Sequence, residues 1–221
     1  MQWPTVIVDD FFTDPHEIVK LSKTFKYVKA YDNTWPGTRS PATHTVNEKF
    51  FLWSTEKILA VLYPMHVHGL RWEAVQYFQR VPYHLYGGEG WIHGDQDWEF
   101  TSIVYLSDHK ESGTCLYKPN DYAVNAKWDD ERRRFFRDLT DFKRQEKFRK
   151  KASARFDKKV ELFSNFNRLV LFDGWQWHAS KQSKKKKEDR LTLVTFFKKI
   201  TSFQKITTVD VKYPIPTMRR I

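Results

Sequence analysis

Cysteine is almost missing from this 221-residue chain. Cys115 is the only one, which excludes an internal disulfide and any zinc cage built of cysteines, and which fits a reducing compartment. No apolar run approaches the roughly 18–20 residues needed to cross a bilayer. Met1–Asp10 lacks the charged region, the apolar stretch and the small-residue cleavage site of a signal peptide. The expectation is therefore a cytoplasmic protein with no membrane partner, or one in the host cytoplasm if the source is viral. Glycine is also scarce, at eight residues, and no internal repeat is visible. What the chain has in excess is aromatic: 9 Trp, 10 Tyr and 18 Phe. Most of these rings must be core, since they supply the burial that a modest aliphatic count leaves to be found. With 29% charged and 40% hydrophobic residues, the composition is globular, not disordered. The length predicts one domain over residues 1–221.

The formal net charge of +11 is concentrated in two places. Glu131–Lys159 carries 13 Lys or Arg against five acids, and Lys181–Arg190 carries six basic residues against two. The remaining residues are close to neutral. Phe135, Leu139 and Phe142 recur at helical spacing after a possible cap at Asp129 or Asp130, which predicts a basic helical insert over 129–156. Its charges read either as a solvated face or as a footprint for an acidic protein segment or nucleic acid. Lys184–Lys187 cannot be core.

The first 70 residues read as a strand followed by helices. Thr5–Phe12 has a short buried-strand pattern. Asp14, Pro15 and Glu17 mark a helix start, with a cap, a proline at the first helical position and a glutamate three residues after the cap. A second helix is predicted over Ser54–Tyr63, stopped by Pro64, with Asn33–Thr45 a long loop before it. Beyond residue 70 the chain turns to short runs of Val, Phe, Tyr, Trp and Thr: Trp72–Val81, Trp91–His93, Phe100–Ser107, Gly113–Lys118, Val160–Phe163, Arg168–Phe172, Trp175–Lys181 and Leu191–Ile200. Eight such strands predict a mainly β double-stranded β-helix, or jelly roll, over 71–200, with N-terminal helices outside it and a C-terminal extension over 201–221.

The strongest chemical signal is His93-Gly94-Asp95 taken together with His178 and Arg190. Two imidazoles and one carboxylate on one side of a ferrous ion leave three positions open for a co-substrate and dioxygen. Alone, a His-x-Asp is a weak signal. Its placement strengthens it: it follows Gly87-Gly88-Glu89-Gly90 and precedes a strand, while His178 comes 85 residues later and Arg190 opens the last strand.

With those residues the sequence resembles the iron(II)- and 2-oxoglutarate-dependent dioxygenases, in particular the prolyl-hydroxylase-like branch with its small viral and bacterial members. Thr5–Phe12 with Asp14-Pro15, the loop Trp35–Arg39, Ile103–Asp108 followed by Gly113-Thr114, and Arg168–Gly174 resemble the same group. The resemblance implies that His93, Asp95 and His178 bind iron. It implies that Arg190 pairs with the distal carboxylate of 2-oxoglutarate, a task that suits the forked guanidinium. Tyr105 matches a strand tyrosine that donates to the same carboxylate, and Thr192 adds a hydroxyl on the face of Arg190. Gln79 or Tyr83 could steady the co-substrate. The implied activity is hydroxylation of an unknown substrate, with Fe(II), 2-oxoglutarate and dioxygen consumed in forming succinate and carbon dioxide. The lysine run and the long insert depart from the family pattern, so its protein-proline substrate does not carry over.

Blander readings stand beside these. A rival function is a non-catalytic basic protein that keeps the fold and holds nucleic acid. Any one histidine is more often structural than a ligand, and His66-Val67-His68 is read as structural. Asp97 and Glu99 are either near the site or solvated. Trp175 and Trp177 are expected on one packed face with His178 on the other, and Cys115 is expected to be a buried strand residue.

Overall fold

In the computed structural model, the described residues are 4–29, 35, 37–65, 67–82, 90–109, 111–120, 142–181 and 188–202. Tyr83, His66, Gly87–Glu89, most of the predicted basic insert and the lysine run lie outside them, as does the extension from 203 onward.

The N-terminal part supplies β1 (Val6–Val8), α1 (Pro15–Ser22), β2 (Val28–Lys29), β3 (Thr38–Arg39), α2 (Thr43–Val46) and α3 (Glu48–Leu62). The rest carries β4 (Leu70–Val81), β5 (Phe100–Tyr105), β6 (Gly113–Pro119), α4 (Phe142–Ser153), β7 (Phe156–Phe163), β8 (Leu169–Asp173), β9 (His178–Lys181) and β10 (Arg190–Ser202). Among the described residues the strands form an antiparallel seven-stranded sheet, ordered β1-β8-β5-β10-β4-β3-β2, and a three-stranded sheet, ordered β7-β6-β9. These two sheets are the jelly roll expected from the strand pattern, and the N-terminal helices pack on one of them.

Alternation along the strands decides what each face meets. From β4, β5, β8 and β10, one set of side chains (Phe78, Phe100, Val104, Leu169, Leu171, Leu193, Phe197) packs against Ile18, Phe50, Ile58 and Leu59 of α1 and α3. Each of these side chains contributes about 1.5–3 kcal/mol by leaving water. The opposite set, including Ile103, Tyr105, Val170 and Phe172, packs on Leu116 and Leu162 of the smaller sheet. The far side of the smaller sheet buries Trp91, Tyr117, Phe156 and Trp177 with Ala152 of α4. The site lies between the two sheets.

Helix α1 starts as its sequence predicts, with the Asp14 side chain accepting from Glu17 N and Pro15 opening the helix. Helix α3 begins six residues before the expected Ser54, because Asn47 caps it by accepting from Phe50 N at 3.0 Å. The expected loop over 33–45 contains β3 and the start of α2. Two-residue β3 has no periodicity to read; it exists because its residues pair with Arg80 and Gln79 of β4. Strand β9 is shorter than expected. It begins at His178, and Trp175 sits in the preceding turn, 64% exposed, with its N–H on Asp173 Oδ1. Only Trp177 is packed, tilted against Phe156 at 5.1 Å. Cys115 is buried in β6, as expected. No described helix is long and apolar enough to cross a membrane.

Candidate metal centre and co-substrate site

His93 lies beside the edge of the smaller sheet and forms an isolated antiparallel bridge with His178 at the start of β9. Their backbones exchange both hydrogen bonds, His93 N to His178 O at 2.9 Å and His178 N to His93 O at 2.8 Å. The bridge sets the two rings 4.3 Å apart, centroid to centroid. Asp95 follows two residues later and is held by its N–H on Gly174 O at 2.7 Å. Gly174 is required there, because a Cβ on it would lie 2.0 Å from Trp98 O and 2.9 Å from Asp95 O. The turn that opens the His178 segment therefore presses directly on the loop carrying Asp95.

The three side chains converge. His93 Nε2 is 3.8 Å from Asp95 Oδ1, and His178 Nε2 is 3.5 Å from Asp95 Oδ2. One ligand atom from each falls within 4.8 Å of the others, so the cluster is able to hold a metal ion. The imidazole protons are placed by the backbone. His93 Nδ1 lies 2.9 Å from Trp91 O and His178 Nδ1 lies 2.9 Å from Gln176 O. A carbonyl oxygen only accepts, so each Nδ1 carries hydrogen, which leaves each Nε2, the nitrogen facing Asp95, as the atom that would bind a metal. Thr101 of β5 donates to Asp95 Oδ2 at 2.6 Å. Burial alone would push the Asp95 carboxyl up; the histidines, Thr101 and Arg39 outweigh it and hold the group below its ordinary range.

A polar row runs across the larger sheet on the same inner face. Arg39 pairs with Gln79, Gln79 with Thr192, and Thr192 with Tyr105. Thr101 lies four residues before Tyr105 on β5, or roughly 13 Å of strand. One end of the space between the sheets is thus lined for a metal and the other for something polar. Tyr105 is fully buried, with its hydroxyl 2.7 Å from Thr114 Oγ1. Its burial raises the phenol above the usual tyrosine value, with Arg190 opposing, so it stays a donor. Arg190 donates from Nη1 to Gly113 O at 2.8 Å, while its Nε is buried with no hydrogen-bond partner among the described residues. Burial also lowers its guanidinium below the ordinary arginine range. Among the described residues no carboxylate pairs with it.

The residues singled out in the sequence therefore fall into two groups: His93, Asp95 and His178 at one end, and Arg190, Tyr105 and Thr192 at the other. Gln79 lies on the row between Arg39 and Thr192; Tyr83 lies outside the described residues. His68 is exposed in the turn before β4, and Asp97 is exposed. Glu99 accepts from Ile200 N at 3.1 Å, so its place is at the end of β10. Sequence reasoning gave no role to Thr101, or to Thr114 and Arg39, which it quoted only as parts of family-like segments. The two threonines are ordinary strand residues whose roles depend on register. Arg39 is distinguished by its surroundings: its guanidinium carbon lies 4.7 Å from the Trp35 ring, 5.4 Å from Tyr77 and 5.6 Å from Phe196. Burial among those rings lowers its pKa to about 10, with Asp95 and Tyr77 opposing.

Residues 1–197 match the model of a family described as a family of unknown function (DUF6445). The chain belongs to this family. A search of curated protein sequences returns no match. Solved structures share the fold. HygX from Streptomyces hygroscopicus, with nickel and 2-oxoglutarate bound, aligns at a TM-score of 0.53 and 12% identity over 87% of this chain and 82% of its own. The non-haem α-ketoglutarate-dependent epimerase SnoN from nogalamycin biosynthesis aligns at 0.53 and 11% identity, covering 88% and 77%. A prolyl hydroxylase from Trichoplax adhaerens aligns at 0.50 and 11% identity, covering 87% and 82%. This is the jelly-roll fold of the 2-oxoglutarate and iron(II) oxygenases, carrying in this chain a His-Asp-His cluster able to hold a metal.

Proposed function

We propose that the chain is a non-haem iron(II)- and 2-oxoglutarate-dependent dioxygenase that hydroxylates its substrate. The observation that carries this reading is the pairing, within one inter-sheet space, of the His93–Asp95–His178 cluster with the buried, unsatisfied Nε of Arg190. Two neutral imidazoles and a carboxylate on one side suit ferrous iron with open positions. A buried guanidinium with a donor to spare suits a dianionic co-substrate, since leaving it unpaired is costly.

His93 Nε2, His178 Nε2 and a carboxylate oxygen of Asp95 hold the iron, and Thr101 fixes the orientation of that carboxylate. Arg190 receives the distal carboxylate of 2-oxoglutarate on its fork. The Tyr105 hydroxyl donates to the same group and accepts from Thr114, and Thr192 lies beside it on the row. With iron bound, the centre couples decarboxylation of 2-oxoglutarate to oxidation of a substrate C–H bond: one oxygen atom of O2 enters succinate, the other enters the alcohol, and carbon dioxide leaves. The packed sheets keep bulk water from the charged co-substrate and strengthen its ion pair with Arg190.

Anaerobic addition of ferrous iron and 2-oxoglutarate tests the reading through the visible charge-transfer band of the chelate. The band is expected in wild type, absent in His93→Ala, and visible in Arg190→Ala only at much higher 2-oxoglutarate. Folded wild-type protein that binds iron and gives no band would overturn the co-substrate assignment.

A further inference from the structure

Arg39 is a cation to which the oxygenase reading assigns no ligand. It projects from β3 at the opposite end of the polar row from Tyr105, and it is close enough to Asp95 for each to shift the other's ionisation. Its Nε donates to Gln79 Oε1 at 3.2 Å, and three aromatic faces surround the guanidinium. Among the described residues no hydrogen bond engages Nη1 or Nη2, and no carboxylate lies within ion-pair distance. The cation–π contacts stabilise the charge but do not neutralise it. A second donor beside it is also idle: the indole Nε1 of Trp35, whose ring Arg39 covers, is buried without a hydrogen-bond partner.

The charges of the loaded centre sharpen the point. Iron(II), Asp95, the 2-oxoglutarate dianion and Arg190 cancel, so the charge of Arg39 is balanced by none of them. A cation half-buried among rings gains from an anion that completes it. The outward edge of its fork matches the two oxygens of a carboxylate.

We infer that Arg39, with the Trp35 indole N–H beside it, is the receptor for a carboxylate on the substrate, so that the molecule oxidised is a carboxylic acid held by its anionic end on the β3–β4 side of the metal. The inference rests on the oxygenase reading and adds the substrate class. Tyr77 and Phe196 flank the same guanidinium, so the carbon next to the carboxylate meets aromatic faces. A neutral molecule of the same shape leaves Arg39 unpaired and binds weakly.

The test uses protein loaded with Mn(II) in place of iron and saturated with 2-oxoglutarate. The probes are phenylacetate and its neutral counterpart phenylacetamide, and the readout is Mn(II)-enhanced relaxation of their methylene protons. Phenylacetate is expected to bind at least tenfold more tightly than the amide. Arg39→Met should abolish that preference, and Arg39→Lys should keep part of it. The 2-oxoglutarate protons report separately on the same metal, so a variant that still relaxes them is folded and loaded; Arg39→Gln replaces Arg39→Met if the latter is not. Equal binding of acid and amide by wild type, no binding of the acid, or an Arg39→Met variant with undiminished preference overturns the inference while leaving the oxygenase reading intact. Wild type that fails to relax 2-oxoglutarate sinks that reading, and the inference with it.

Discussion

The two faces of the larger sheet each bury a polar cluster, and they differ in how completely it is satisfied. On the helix side, Gln76 Oε1 accepts from Thr43 Oγ1 at 3.0 Å and Ser54 Oγ at 3.1 Å, and Gln76 Nε2 donates to Thr195 Oγ1 at 2.9 Å. That network ties α2 and α3 to β4 and β10 and needs nothing from outside. On the inner face, Arg190 Nε, the end of the Arg39 fork and the Trp35 indole N–H have no protein acceptor among the described residues. Ser102 Oγ, buried on the helix side, is also without a partner. It is neutral, however, so its penalty is small beside that of an unpaired cation. A closed network reads as architecture, and open charged donors beside a ligand cluster read as a place for a ligand.

Substitutions can break this contrast from either side. The largest effect is expected from Asp95→Ala, which removes the charged member of the metal cluster. Mn(II) affinity, measured by equilibrium dialysis, should fall by about 100-fold or more, with the fold retained. Gln76→Ala should do the reverse. It orphans the buried hydroxyls of Thr43 and Thr195, leaves Ser54 Oγ only Phe51 O, and opens a cavity, so urea unfolding should show a loss of about 2–4 kcal/mol while folded protein binds Mn(II) as before.

Tyr105→Phe comes next. It removes one donor to the distal carboxylate and strands Thr114, so 2-oxoglutarate affinity by calorimetry should drop about five- to tenfold, the equivalent of about 1–1.5 kcal/mol.

The smallest effect belongs to a pair away from both clusters. Arg168 grips Asp9 with Nε on Oδ1 at 2.6 Å and Nη2 on Oδ2 at 2.8 Å. That hydrogen bond lowers the Asp9 pKa despite the opposing effect of burial. A lowered carboxyl stabilises the fold above its ordinary titration range and loses that contribution as pH falls through the lowered value. Asp9 is more than half exposed, so water screens the pair to at most about 1 kcal/mol. Asp9→Asn should lower stability by that much at pH 7, with the difference vanishing at strongly acid pH.

The same contrast explains what could be read in the sequence. Strands β4, β5, β8 and β10 were legible because one of their faces must be apolar enough to meet α1 and α3. His93, Asp95, His178 and Arg190 were legible because their residue types and order are unusual. Thr101, Thr114 and Arg39 were not, since each acquires its role only from a neighbour brought alongside by register. Thr101 is six residues from the carboxylate it holds, and Thr114 is nine from the phenol it meets. Arg39 is 56 positions from Asp95 and lies on a strand too short to show a period. The α3 start was missed for another reason: its cap, Asn47, immediately follows α2, so no loop announces it.

A crystal structure of the anaerobic complex with ferrous iron and 2-oxoglutarate is the most direct test of the central claim. The account predicts iron on His93, Asp95 and His178, and the distal carboxylate of 2-oxoglutarate hydrogen-bonded to Arg190 and Tyr105, which closes the open donor of the inner face. Iron at another set of ligands, or 2-oxoglutarate bound with Arg190 Nε still unpaired, would contradict it.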